Sequence, residues 1–189
     1  FTESVEGGIR YRGTVAYELT DNSLSEYIIK EGTTAINSNL FYYNNNVTSI
    51  TLPNSLVTIG DNAFYYCQNL TNINMPDSVV KIGAYAFYRC GNLVNINIPK
   101  CVQIIGDYAF RYCTALDSVS FNAANCTSVP NNVFDYCSNL RAVAFGDDVK
   151  SIPANLFYDD NLQSVTIGSN VEKIGDYAFY TCNNLTTIN

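Results

Sequence analysis

Apolar residues return along this chain at a nearly constant interval. One column consists of Phe41, Phe64, Phe87, Phe110, Phe134, Phe157 and Phe179. A second column consists of Leu24, Val47, Leu70, Leu93, Leu116, Leu140, Leu162 and Leu185. Successive members of both columns are 22 to 24 residues apart. A fixed period of this length predicts a solenoid, in which similar coils stack and share one continuous core.

Each residue of the second column opens an alternating apolar segment, as in Leu70, Ile73 and Met75. Alternation is the pattern of a half-buried strand. Eight such segments follow one another in the same direction, so we expect them to form one parallel β-sheet.

A second segment, of the form GDxAFxxC, follows in several repeats. In the copy over residues 106–113, Ala109, Phe110 and Cys113 have the spacing of one helical face. Acceptors for a helix N-cap are expected at Asp61, Asp107 and Asp176. We therefore expect one or two short helical turns per repeat, on the side of the coil opposite the sheet.

The ends of the chain differ from the repeats. Residues 7–21 alternate in hydrophobicity around Gly13, which predicts a β-hairpin. We expect residues 1–23 to form a hairpin cap and residues 24–189 to form seven to eight repeats of about 23 residues. The chain starts with Phe1 and stops inside the eighth strand, without a polar capping repeat. We therefore expect that a leader has been removed and that the natural protein continues past Asn189.

Composition narrows the range of functions. The 189 residues carry a net charge of −7 with ten Lys and Arg, which argues against nucleic-acid binding. No stretch approaches the roughly 18 apolar residues of a membrane span. The chain has no His, the commonest general base and metal ligand, and no CxxC pair. We expect no enzyme activity, no catalytic residue, no cofactor and no metal site.

The repeat over residues 59–81, IGDNAFYYCQNLTNINMPDSVVK, resembles the repeat of BspA-type leucine-rich-repeat proteins. The matching positions are Ile59, Gly60, Ala63, Phe64, Cys67, Leu70, Ile73, Met75, Pro76 and Val79. The resemblance covers residues 24–189. It implies an α/β solenoid: a right-handed leucine-rich-repeat superhelix with its parallel sheet on the concave face and helical turns on the convex side. It also implies a secreted or surface-exposed protein, and it carries no catalytic residues. Asn44 and Asp160 depart from the pattern, since each stands at the cysteine position.

The cysteines allow two interpretations. Cys67, Cys90, Cys113, Cys137 and Cys182 each follow a column phenylalanine by three residues. They could form a metal or redox ladder, but small apolar side chains in the core are the favoured interpretation. Cys101 and Cys126 lie in equivalent connections of adjacent repeats, and a disulfide between them stays open, since an exported location would permit it.

The outward face of the predicted strands is the first candidate binding surface, because the concave face of such solenoids usually binds partners. Its candidate residues are Asn72, Asn74, Asn95, Asn97, Asp117, Ser118, Arg141 and Gln163. This polar face could hydrogen-bond a sugar or an extended peptide. The favoured interpretation is a solvated face without a partner.

A tyrosine stripe is the second candidate surface, since tyrosine is amphipathic and enriched in interfaces. Its candidate residues are Tyr43, Tyr66, Tyr88, Tyr112, Tyr136, Tyr158 and Tyr180. The alternative is that the rings simply cover the turns and stack on one another. The carboxylate pairs Asp147–Asp148 and Asp159–Asp160 are interpreted as solvated turns, because no calcium-loop motif surrounds them.

Two functional hypotheses remain. The first is a non-catalytic, adhesin-like interaction module, secreted or at the cell surface, that binds a protein or glycan of a host or neighbouring cell. The alternative is a structural spacer within a larger surface protein. The sequence predicts neither the oligomeric state nor the identity of the partner.

Overall fold

A computed structural model describes residues 2–126, 129–130, 132–158 and 161–189, apart from the side chain of Tyr158. These residues form nineteen short strands and no helix. In chain order they are β1 (Glu3–Glu6), β2 (Ile9–Arg12), β3 (Val15–Leu19), β4 (Glu26–Ile28), β5 (Ala35–Ile36), β6 (Ser49–Thr51), β7 (Thr58–Ile59), β8 (Asn72–Ile73), β9 (Lys81–Ile82), β10 (Asn95–Ile98), β11 (Ile104–Ile105), β12 (Ser118–Phe121), β13 (Ala142–Phe145), β14 (Ser151–Ile152), β15 (Phe157–Tyr158), β16 (Ser164–Thr166), β17 (Lys173–Ile174), β18 (Phe179–Tyr180) and β19 (Thr187–Ile188).

The eight alternating segments contain eight parallel strands. We call the outward surface of these strands the strand face. The strands form a three-stranded sheet in the order β4-β6-β8 and a five-stranded sheet in the order β10-β12-β13-β16-β19. Equivalent residues pair across neighbouring coils, as Val119 does with Ile96 on one side and Val143 on the other. The 23-residue period therefore sets the register between the strands.

A second sheet runs along another side of the coils, so the expectation of a single parallel sheet was wrong. It has the order β1-β2-β3-β5-β7-β9-β11, and the pair β14–β17 occupies the same position in later coils. The predicted hairpin segment contains β2 and β3, which are antiparallel to each other. Strand β3 then pairs in parallel with β5, which joins this hairpin to the first coil. The division of the chain at residue 23 stays a prediction.

The helical turns expected in the GDxAFxxC segments do not occur in the described residues, so the α/β class was wrong and the molecule is a β-solenoid. Overlapping β-turns take their place. The amide of Tyr42 donates to the carbonyl of Asn39 at 3.1 Å, and the amide of Asn44 to that of Phe41 at 3.0 Å. Tyr43 has φ 58° at the third position of its turn, the left-handed conformation of a type II turn.

Backbone hydrogen bonds between coils explain why turns replace helix. The amide of Phe41 donates to Ala63 at 2.8 Å, and that of Tyr43 donates to Tyr65 at 2.8 Å. Alternate amides thus point along the solenoid to the next coil, where a helix would direct every amide to its own fourth preceding carbonyl. The expected N-cap is also absent at Asp61, whose carboxylate accepts the amide of Ala84 in the next coil at 2.9 Å.

The phenylalanine column forms the centre of the core. Phe64, Phe87 and Phe110 are fully buried, and their rings stack at centroid distances of 4.9 and 5.1 Å. The same stacking continues from Phe41 to Phe157 at comparable distances. Because each ring packs on equivalent rings 23 residues away, a single coil cannot bury its own phenylalanine.

One glycine column marks the closest approach of neighbouring coils. A Cβ atom added to Gly60 would lie 2.5 Å from the backbone nitrogen of Ser38, and one added to Gly83 would lie 2.5 Å from that of Asp61. Glycine is required here because a side chain would separate the coils.

Candidate binding surface

The turns that carry the buried phenylalanines also direct their neighbours outward. Residues one or two positions after the phenylalanine, and some two positions before it, lie on the outer side of each turn. We call the resulting set the tyrosine–arginine surface. Its members are Tyr42, Tyr43, Tyr65, Tyr66, Tyr85, Tyr88, Arg89, Tyr108, Arg111, Tyr112 and Tyr136.

Rings on this surface stack along the solenoid, as the phenylalanines do inside. Tyr42, Tyr65 and Tyr88 form one column, with centroid distances of 5.0 and 4.9 Å. Tyr43 stacks on Tyr66 in the adjacent column at 4.7 Å. Such pairs add about 0.5–1.5 kcal/mol each beyond their buried area, so the rings hold one another in place.

Arg89 continues the second column where a tyrosine would be expected. Its guanidinium carbon lies 5.3 Å from the Tyr66 ring centroid and 4.7 Å from that of Tyr112, so the cation is held between two aromatic faces. Its Nη1 also donates to the Tyr66 hydroxyl at 2.7 Å. Hydrogen bonds that Arg89 donates to Tyr88 and Tyr66 raise the pKa of Arg89, which is cationic at any physiological pH.

Arg111 occupies the equivalent place in the first column. Its guanidinium lies 4.9 Å from the ring centroids of both Tyr108 and Tyr136. Its Nε lies 3.2 Å from the Asp135 carboxylate, and the two side chains are only 25% and 14% exposed. Burial raises the pKa of Asp135, while the charge of Arg111 opposes that rise. The ion pair neutralises this end of the surface.

The strand face presents small polar side chains that satisfy one another. The Ser118 hydroxyl donates to the Asn95 side chain at 2.5 Å, and the Asn122 amide donates to Asn97 at 2.7 Å. Arg141 pairs with Asp117 at 3.2 Å, with both side chains about half exposed. Asn72, Asn74 and Gln163 are exposed on the same face. None of the candidate positions on this face carries an aromatic side chain.

The repeat sequence on which these surfaces are built identifies the family. The BspA type leucine-rich repeat region, in six copies, matches residues 34–162 and 121–189. The chain belongs to this family. As a BspA-type protein, it shares its fold with several bacterial proteins. No curated protein matches the chain.

Three solved structures show the likeness. The T. pallidum leucine-rich repeat protein has a TM-score of 0.80 and 23% identity, over 98% of this chain and 91% of that one. A leucine-rich cell surface protein from Faecalibacterium prausnitzii A2-165 has a TM-score of 0.74 and 29% identity, over 99% of this chain and 54% of that one. The pneumococcal vaccine antigen PcpA has a TM-score of 0.73 and 19% identity, over 92% of this chain and 47% of that one. The BspA-type chain therefore spans about half the length of the last two proteins.

The structure brings together part of the predicted tyrosine stripe. Tyr43 and Tyr66 lie in one column with Tyr112 and Tyr136, whereas Tyr88 lies in the neighbouring column. Tyr180 contacts Tyr177 in the last coil. The side chain of Tyr158, together with Asp159 and Asp160, lies outside the described residues. The role of the stripe in binding stays a prediction.

Sequence reasoning missed both arginines. Arg89 and Arg111 fall in the two tyrosine columns, and aligning the repeats at a 23-residue period would have revealed them. A search for columns of tyrosine, however, does not include them, because arginine is a charged residue of a different type. Their placement between rings depends on the stacking of the coils, which brings residues 23 positions apart into contact.

The cysteine column of this BspA-type chain lies in the core. Cys67, Cys90 and Cys113 are fully buried. Burial raises the pKa of the Cys67 thiol to about 12 and holds the pKa values of Cys90 and Cys113 well above the ordinary range. These thiols are therefore protonated and poor nucleophiles or metal ligands. No disulfide joins Cys101 to Cys126, both of which lie in the described part of the chain.

No group of three or more Cys, Asp or Glu residues in the described ranges is placed to hold a metal ion. Across the same ranges, no helix is long and apolar enough to cross a bilayer.

Proposed function

We propose that this chain is a non-catalytic, adhesin-like interaction module, secreted or displayed at a cell surface. It binds a protein or glycan of a host or neighbouring cell through the tyrosine–arginine surface. The cell-surface description of the 29% identical F. prausnitzii protein supports this location. The repeat architecture supports the role, because solenoids present extended surfaces to partners.

The placement of Arg89 between Tyr66 and Tyr112 is the observation that carries the proposal. Tyrosine and arginine dominate the energetic centres of protein interfaces, and here they form one contiguous patch. The outer rings are accessible, since Tyr42, Tyr43 and Tyr136 are 48%, 50% and 54% exposed. The strand face offers no comparable group.

The surface is also organised before any partner arrives. Its rings stack on one another, and the backbone beneath them is tied to both neighbouring coils by hydrogen bonds. Binding therefore orders few side chains, which removes a cost that flexible surfaces pay on association.

The test measures binding of the whole chain to immobilised matrix proteins, mucins and host or bacterial cells. We expect saturable binding to at least one of these, weakened about tenfold or more by Arg89→Met, which keeps the aliphatic bulk and removes the charge. Tyr136→Asn should weaken it in the same direction. Arg141→Ala on the strand face is the matched control and should bind as the parent does.

Two results would contradict the proposal. Arg141→Ala could abolish binding while Arg89→Met leaves it intact, which would place the site on the strand face. Alternatively, the parent chain could bind none of the surfaces. That outcome would favour the spacer hypothesis, which draws its support from a strand face whose polar groups are occupied with one another.

A further inference from the structure

A groove lies where the N-terminal hairpin meets the first coil. It encloses about 560 Å³, within the roughly 300–1,000 Å³ range of small-molecule sites. Its lining residues are Tyr17, Glu18, Leu19, Thr20, Asn22, Ser38, Asn39, Leu40, Tyr42, Tyr43 and Asn44. Aromatic rings and short polar side chains therefore share one concave site.

The aromatic wall consists of rings that begin the two tyrosine columns. Tyr42 stacks on Tyr65 at 5.0 Å, and Tyr43 stacks on Tyr66 at 4.7 Å. Both partners belong to the following coil, and no described ring stacks on the preceding side. Tyr42 and Tyr43 are thus fixed from one side and about half exposed, with the groove beside them.

The polar wall offers unused hydrogen-bonding groups. Asn22, Ser38 and Asn39 are exposed, and their side chains make no hydrogen bond to another residue in the described ranges. Deeper in the groove, Asn44 is buried and its side-chain oxygen accepts the amides of Asn46 and Val47. Asn22, Ser38 and Asn39 can therefore bond to ligand hydroxyls in place of water, while the hydrogen bonds of Asn44 hold the deeper part of the groove in place.

The charge of the lining residues and of the whole chain indicates which class of ligand the groove can accept. Glu18 is the one charged residue among those lining the groove, and its carboxylate lies 3.4 Å from Arg10. The chain as a whole carries a net charge of −7. An anionic ligand would meet no unpaired cation among the lining residues and would be repelled at longer range.

We propose that this groove is a binding subsite for a neutral saccharide. The apolar face of a pyranose packs on the rings of Tyr42 and Tyr43, and its hydroxyls bond to Asn22, Ser38 and Asn39. The assignment rests on the proposed function in supposing that the chain meets glycans. The groove does not include Arg89 or Arg111, so the saccharide proposal and the proposed function can fail independently.

The experiment uses saturation-transfer NMR on the full chain with neutral gluco-, manno-, galacto- and N-acetylglucosamine oligosaccharides, and with a heparin-derived oligosaccharide as the anionic comparison. Tyr43→Asn removes one ring. Tyr177→Asn is its matched control, because Tyr43 and Tyr177 have φ 58° and 57° and are both at least half exposed, and Tyr177 lies outside the groove and the tyrosine–arginine surface. Asparagine tolerates this left-handed conformation, so both variants should fold.

We expect at least one neutral oligosaccharide to bind, with affinity lowered about fivefold or more by Tyr43→Asn and unchanged by Tyr177→Asn. Asn22→Ala should also weaken binding, while the backbone carbonyl of Asn22 keeps its bond to Asn46. The proposal is overturned if no neutral probe binds, if the heparin fragment alone binds, or if Tyr177→Asn weakens binding as much as Tyr43→Asn. Retained, Arg89-dependent binding to host surfaces in those cases would leave the proposed function standing.

Discussion

The thiol of Cys90 donates a hydrogen bond to the backbone carbonyl of Phe64, one coil earlier, across 3.2 Å. The same contact joins Cys67 to Phe41 at 3.1 Å and Cys113 to Phe87 at 3.2 Å. The cysteine column is therefore more than small apolar packing, because each thiol gives a second hydrogen bond to a buried carbonyl that already accepts an amide of its own turn.

Alkaline pH should destabilise the protein through these buried thiols. In the folded chain the pKa of Cys67 is raised to about 12, and those of Cys90 and Cys113 are raised well above the ordinary range. In the unfolded chain they ionise near pH 8.5, so unfolding releases protons above that pH. Their contribution to stability is complete below about pH 8 and is lost as the pH rises toward the folded-state values.

Urea unfolding measured from pH 7 to about 10 checks this, since each thiol adds up to about 1.4 kcal/mol of lost stability per pH unit. Cys90→Ala serves as the comparison and should flatten the dependence by the share of one thiol. A parent chain whose free energy of unfolding is constant over this range would contradict the prediction.

Replacing a phenylalanine in the middle of the column should reduce the free energy of unfolding more than replacing one in the last coil. Phe87→Ala removes a fully buried ring that stacks on both neighbours, and we expect a loss of about 3–5 kcal/mol in the free energy of unfolding. Phe179→Ala, in the partly exposed last coil, should cost less. Denaturant unfolding of both variants measures the difference, and equal losses would contradict a continuous core.

Two glycines should differ in how well they tolerate a side chain, because the neighbouring coil approaches one of them closely and leaves space at the other. A Cβ atom on Gly83 would lie 2.5 Å from backbone of the preceding coil, so Gly83→Ala should destabilise by about 1–3 kcal/mol. At Gly91 the nearest atom would be 3.7 Å away, and Gly91→Ala should be neutral or slightly stabilising. Thermal unfolding midpoints of the two variants test the pair, and a Gly83→Ala protein as stable as the parent would be incompatible with this packing.

The two arginine–aspartate pairs should differ in their contribution to stability. Arg111→Ala removes a cation held among tyrosines and the ionic partner of Asp135, whose side chain is only 14% exposed in the parent chain, so we expect a loss of about 1–3 kcal/mol. Arg141→Ala breaks an exposed pair, which should change stability by less than about 1 kcal/mol. Unfolding free energies at two salt concentrations check both variants. A larger loss for Arg141→Ala would reverse the assignment.

Much of the coil could be predicted from the sequence, but its turn side could not. Ala109, Phe110 and Cys113 face the core, as their spacing indicates, yet consecutive β-turns satisfy that spacing as well as a helical turn does. A signal was present in Asn39 and Asn62, which adopt positive φ at the third turn position. Asparagine favours that conformation, whereas tyrosine, which holds the equivalent position at Tyr85, Tyr108 and Tyr177, does not indicate it.

By itself the sequence determined the stacked coils, because apolar residues at a 23-residue period can be buried together only when equivalent positions lie over one another. Only the tertiary structure decided which contacts the outward-facing side chains make with one another. Each outer side chain is placed by backbone hydrogen bonds to the next coil, as at Tyr43 and Tyr65, and by rings that belong to other repeats. The arginine between two tyrosines and the groove beside the hairpin both arise from contacts between residues distant in the chain, so no local pattern could indicate them.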